Sequence, residues 1–132
     1  MSRVRHVFPW ALAIFVAASG FVAAAAPAAS RPVTIASYCS PSGDVCFGVL
    51  NRSGAVYLEI STAARYFSRY TLCVTPPTGR QRCGSFPLVG TSSSVKFARQ
   101  FPVVGPGTYR VTWKLPTGPL GPTLRFRLPL AG

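Results

Sequence analysis

From residue 33 onward the chain alternates apolar and polar residues in short runs. Within 55–62, Val56, Leu58 and Ile60 alternate with Tyr57 and Glu59. Within 108–115, Tyr109, Val111 and Trp113 alternate with Arg110, Thr112 and Lys114. Within 123–130, Leu124, Phe126 and Leu128 alternate with Arg125 and Arg127. A period of two belongs to strands with one buried face. The same reasoning predicts strands at 33–39, 45–51, 69–75 and 81–88. It also predicts one at 94–101, with Val95, Phe97 and Phe101 on one face. Gly and Pro punctuate the runs. About eight short strands at regular spacing predict an all-β, two-sheet antiparallel sandwich, with a small barrel as the alternative. Parallel strands would read as continuous apolar runs, which these are not. Only 61–69 carries helical potential, as a single turn in a crossover.

The N-terminus follows another rule. MSRVRH is basic, Val7 to Ala26 is uncharged, and Ala26-Pro27-Ala28 is rich in small residues. That order predicts a signal helix over 1–28, cleaved after Ala28. An uncleaved membrane anchor is the alternative, and it alone would place the chain in a membrane. Residues 29–132 then form a single secreted or extracytoplasmic domain that gains from crosslinks.

Four cysteines, Cys39, Cys46, Cys73 and Cys83, sharpen that picture. None forms a Cys-x-x-Cys pair, and the only histidine, His6, precedes the expected cleavage site. Zinc would need all four thiolates at spacings that suit it poorly, so no metal or other cofactor is implied. An oxidising compartment and an even count predict two disulfides. Three pairings exist for four cysteines. A turn at Ser42-Gly43 sets Cys39 opposite Cys46, and a loop at Pro77-Thr78-Gly79 sets Cys73 opposite Cys83, so sequential pairing is expected. Alternation puts both bridges on outward faces, as clips across hairpins.

Charge then changes the functional picture. The chain holds 14 basic and 2 acidic residues. Losing Arg3 and Arg5 leaves 12 cations, and subtracting Asp44 and Glu59 gives +10 for residues 29–132. Such a chain is drawn to anionic polymers or lipid head groups. If the last three strands form one meander, Lys96, Arg110, Lys114, Arg125 and Arg127 make a basic stripe able to hold phosphates or carboxylates. The competing reading is a solvated outer face. A second candidate is the loop of Arg65, Tyr66, Phe67, Arg69 and Tyr70, where aromatics interleave with arginines and could stack sugars or bases. The competing reading there is a plug for the end of the sandwich.

PGTYRVTWKL (106–115) followed by GPTLRFRL (121–128) resembles the last two strands of immunoglobulin-like and fibronectin-type sandwiches. It is similar to the small periplasmic copper-resistance carriers, with their Tyr-x-Val-x-Trp strand. The resemblance implies an immunoglobulin-like sandwich with a tyrosine corner at Tyr109. It does not imply copper binding, because those carriers use histidines. The chain as a whole resembles small cysteine-containing secreted proteins of high-GC bacteria.

Without histidine in the domain, Ser-His-Asp and Cys-His catalysis are excluded. Asp44 reads as a turn residue, and Glu59 as the partner of a cross-strand arginine. The sequence therefore predicts a non-catalytic binding module for an anionic surface or extracellular polymer. The alternative is a structural or protein-interaction module of the envelope. Specific nucleic-acid recognition is not expected, since no aromatic platform motif is present.

Overall fold

The structure, a computed structural model, describes residues 17–22 and 31–131. Most of the expected signal, 1–28, lies outside the described residues. Among those described, no helix is long and apolar enough to cross a membrane.

The chain forms β1 (Val33–Cys39), β2 (Val45–Arg52), β3 (Ala55–Thr62), β4 (Arg69–Thr75), β5 (Arg82–Pro87), β6 (Ser92–Lys96), α1 (Phe97–Gln100), β7 (Gly107–Leu115), β8 (Gly118–Pro119) and β9 (Leu124–Leu128). They build two antiparallel sheets facing each other, so the fold is a β-sandwich and not a barrel. One sheet runs β1-β2-β3-β6. The other runs β5-β4-β7, with β8 and β9 both pairing along the far edge of β7.

Local chemistry explains the hairpins. Between β2 and β3, Ser53 and Gly54 both take positive φ, 51° and 85°. Positive φ at both central residues is the mirror-image turn whose twist matches paired strands. Asn51 Oδ1 accepts the Gly54 N–H at 2.9 Å and closes that turn. The β1–β2 connection is wider than the expected two-residue turn. Ser40 N–H donates to Val45 O at 2.8 Å, leaving four residues, Pro41 to Asp44, in the loop. Two added residues, one on each side, preserve the register, and Cys39 still faces Cys46.

The core fills from both sheets. Phe47, Val49, Leu58 and Ile60 meet Leu72, Val111, Trp113 and Phe126. Trp113 stacks on Phe47 with centroids 4.6 Å apart. Its indole Nε1–H is buried without a partner. An unmade bond of that kind costs about 1–3 kcal/mol. A ring burying roughly 150–250 Å² gains about 4–6 kcal/mol, so burial wins. At the other end, Phe97 packs edge-on to Tyr109 and Phe126, while Tyr109 and Phe126 stack at 5.3 Å.

Two expectations about local structure are corrected. The strand expected over 94–101 stops at Lys96, and residues 97–100 make one helical turn. Here the chain leaves one sheet for the other, and a helical rise of about 1.5 Å per residue keeps it short. The turn stacks Phe97 on Phe101 and buries both at the sandwich end. The helical turn expected over 61–69 is absent. Residues 61 and 62 finish β3, and the crossover bonds outward instead: Ala63 N–H to Asp44 O, and Ser68 O from Leu88 N–H.

Both disulfides pair sequentially, Cys39–Cys46 and Cys73–Cys83, each with Cα atoms 4.1 Å apart. Both bridge neighbouring strands on outward faces. Cys73 is nonetheless only 1% exposed, because β4 lies between β5 and β7 and its outer side chains are covered laterally. Bridges of this kind persist in oxidising, extracytoplasmic compartments.

Two measurements follow from this packing. Replacing Cys73 and Cys83 together by Ala lowers unfolding free energy by about 2.5–3 kcal/mol, read from denaturant melts, by the loop-entropy estimate. Tyr70 concerns pH. Burial raises its phenol pKa above the usual 10.0, and a hydrogen bond to Ser93 Oγ acts against the rise. A raised folded-state pKa means the contribution is complete below the unfolded value and lost as pH climbs through the folded one. Tyr70→Phe therefore loses about 1 kcal/mol at neutral pH from the missing bond. Above pH 10 its stability falls less steeply than that of the wild type, as paired melts along an alkaline series will show.

Candidate functional site: a cationic sheet face

β7 places Arg110 and Lys114 outward because Tyr109, Val111 and Trp113 must point into the core. β9 does the same with Arg125 and Arg127, opposite inward Leu124 and Phe126. In register, Arg110 faces Arg125 directly, and Arg127 faces Thr108 one diagonal step away. Directly opposed antiparallel residues lie about 4.5–5.5 Å apart at Cα. Across β7, Thr75 of β4 faces Arg110 and Thr71 faces Lys114. Neutral hydroxyl residues thus flank the cations. Arg69 completes the face, with Nε donating to Ser85 Oγ at 3.1 Å and Nη2 to Ser85 O at 3.2 Å.

The expected five-residue stripe is corrected in one respect. Lys96 does not join it, because β6 pairs with β3 in the opposite sheet and sets Lys96 beside Tyr57. The ten residues between β6 and β7, with Pro102 and Pro106, form a crossover and not a hairpin, so the three strands are no meander. Arg110, Lys114, Arg125 and Arg127 are brought together on one face; Arg69 takes the place of Lys96.

The aromatic loop is also corrected. Tyr70 is 1% exposed and belongs to the core, donating its hydroxyl to Ser93 Oγ across the sandwich at 2.7 Å. Phe67 packs against the core, and Arg69 belongs to the sheet face. Arg65, Tyr66 and Arg69 are exposed, and of the three expected aromatics Tyr66 alone stays exposed in the loop. Alternation from β4 into Tyr70 was the signal that separated it from the loop.

No carboxylate side chain lies on the cationic sheet. Asp44 ends the β1–β2 loop, and Glu59 sits on the outer face of β3. Glu59 is engaged by Arg52 in an ion pair and accepts a bond from Ser94 Oγ at 3.0 Å. Arg52 also lies over the Tyr57 ring, 5.3 Å from its centroid. That outer face holds a shallow groove of about 390 Å³, lined by hydroxyls of Ser37, Ser61 and Ser94 around Gly48. The two outer faces differ accordingly: one is hydroxylated and pairs its Glu59 with Arg52, leaving Lys96 beside Tyr57, while the other carries cations and no carboxylate.

Sequence reasoning missed two further cations, Arg80 and Arg82, which line a cavity at the hairpin tip with Val103 and Val104. Their spacing in GRQRCGS was visible, but only the fold brings them against the crossover. Among the described residues no group of three or more His, Cys, Asp or Glu comes together, and all four cysteines are bridged.

The class defined so far is a disulfide-clipped antiparallel β-sandwich with one cationic outer face. Comparison with family models, curated proteins and solved structures found no match to the chain.

Like charges directly opposed across two strands are destabilising. Arg125→Thr should therefore raise stability at low ionic strength by roughly 0.2–1 kcal/mol. The gain should shrink as salt screens the pair. Thermal melts of both proteins over a salt series read this directly; a variant less stable than the wild type at low salt contradicts the repulsion.

Proposed function

We propose that this is an exported, non-catalytic module that holds an anionic polymer of the cell envelope on the outer face of its five-stranded sheet. One observation carries the reading: Arg110 faces Arg125 on a sheet with no carboxylate. That pairing weakens the free protein, and a polyanion laid along the face relieves it. Four further features agree. Arg127 and Lys114 extend the row along the strands. Arg guanidinium matches phosphate, sulfate and carboxylate geometry. The flanking threonines offer hydroxyls. The face is open and broad, which suits an extended polymer more than a small molecule.

The same reading treats the sandwich as immunoglobulin-like. β2-β3-β6 against β5-β4-β7-β9 has the order of a fibronectin-type sandwich with β1 as an added edge strand. The Tyr109 hydroxyl donates to Gly105 O at 2.7 Å and accepts from Val104 N at 2.9 Å, which resembles a tyrosine corner at the start of β7. Export rests on the N-terminal pattern and the disulfides. The carboxylates offer little for acid–base work, since Glu59 is held by Arg52.

The test is elution from a sulfated or phosphorylated polymer resin over a salt gradient. Arg110→Gln, Arg125→Gln and Arg127→Gln together should elute at clearly lower salt than Arg52→Gln, Lys96→Gln and Arg99→Gln, which remove equal charge from elsewhere. Equal shifts from both triple variants would make the attraction generic. Retention on the resin that survives high salt would be non-ionic and would contradict the reading.

A further inference from the structure

One end of the sandwich combines fixed apolar exposure with unopposed charge. There the β4–β5 hairpin loop meets the crossover from α1 to β7. Val103 and Val104 are 55% and 43% exposed. Their loop is held in place: the backbone N–H of Val104 and the carbonyl of Gly105 both bond the buried Tyr109 hydroxyl, at 2.9 and 2.7 Å. Pro102 and Pro106 fix φ on either side. A core residue thus holds two valines out in water. Beside them Phe101, Pro102, Val74 and Pro76 line a cavity of about 370 Å³ that Arg80 and Arg82 share. The hairpin loop is equally fixed. Pro77 sits so close to Gly107 that a Cβ there would fall 2.7 Å from it.

We propose that this end docks on an anionic lipid bilayer, with Val103 and Val104 entering the headgroup–acyl boundary and Arg80 and Arg82 holding phosphate headgroups. Apolar side chains pinned outward beside arginines suit an interface that is apolar on one side and anionic on the other. A protein partner fits less well. Two valines and a small cavity offer far less surface than the roughly 800 Å² per partner of a stable interface. Charge selects anionic over neutral lipid, because the only two acidic residues of the chain, Asp44 and Glu59, belong to the other sheet and its first loop. The inference goes beyond the polymer reading and rests on different residues.

Flotation or sedimentation with vesicles tests it, using the disulfide-intact protein at about physiological salt. Vesicles containing phosphatidylglycerol should bind the protein and pure phosphatidylcholine vesicles should not. Val103→Ser with Val104→Ser should weaken binding roughly tenfold or more by the area lost from the acyl boundary, without altering salt elution from the polymer resin. Arg80→Gln with Arg82→Gln should weaken it by roughly 20- to 30-fold at about one kcal/mol per arginine. All four positions lie on surface loops or strand ends, and an unchanged melting temperature confirms folding. Equal binding to neutral vesicles, no binding to phosphatidylglycerol vesicles, or an unaffected double-serine variant each overturns the proposal. An Arg110/Arg125/Arg127 variant that elutes from the resin with the Arg52/Lys96/Arg99 variant while the wild type keeps its vesicle binding would overturn the polymer reading alone.

Discussion

The alternation along β7 is the constraint on which the rest depends. Tyr109, Val111 and Trp113 are fully buried, and every second residue between and beyond them is forced outward. A slip of one residue would carry Arg110 into the core and Trp113 into water. β7 also joins everything else: it pairs with β4, β8 and β9, its Trp113 stacks on Phe47 of the opposite sheet, and its Tyr109 pins the crossover that precedes it. The same strand that anchors the core therefore sets the positions of the exposed cations. The site is a by-product of packing in its geometry, but not in its residue choice. Alternation demands polar residues outward; it does not demand two arginines face to face.

Much of this was legible in the sequence because strands declare themselves by local period. Val56, Leu58 and Ile60, or Leu124 and Phe126, report a buried face without reference to any partner. The disulfides were legible for a related reason: hairpins fix register locally, and Cys73 faces Cys83 as expected although the connection opens from the expected three residues to six, Pro76 to Gln81. What local period does not encode is which sheet a strand joins. Val95 is buried whichever sheet receives β6, so Lys96 was grouped with strands that lie across the sandwich from it. Phe97 and Phe101 fit a strand face and a helical turn equally well at a spacing of four. Tyr70 looked like part of an exposed aromatic loop until its hydroxyl found Ser93, 23 positions away in sequence. Arg80 and Arg82 gained meaning only when the crossover brought Val103 and Val104 beside them.

The two sheets divide the chemistry of the surface. Glu59, Arg52, Ser94 and Tyr57 form a satisfied cluster on the four-stranded sheet, where the carboxylate is paired and serines line a groove. The five-stranded sheet leaves its cations without counterions from the chain. Its disulfide lies on the same outer face, tying β5 to β4 one row from Thr112 and Thr123, whose hydroxyls bond at 2.8 Å. A backbone stiffened in this way keeps the Cα positions of the cations in a fixed row, which would lower the ordering cost for the polyanion proposed to bind there.

Amide shift mapping during titration with a short polyphosphate tests that arrangement most directly. The account predicts that the largest changes fall on β7 and β9, around Arg110, Arg125 and Arg127, with the outer face of β2 and β3 silent. Changes spread evenly over both sheets, or centred on Lys96 and Arg99, would contradict it.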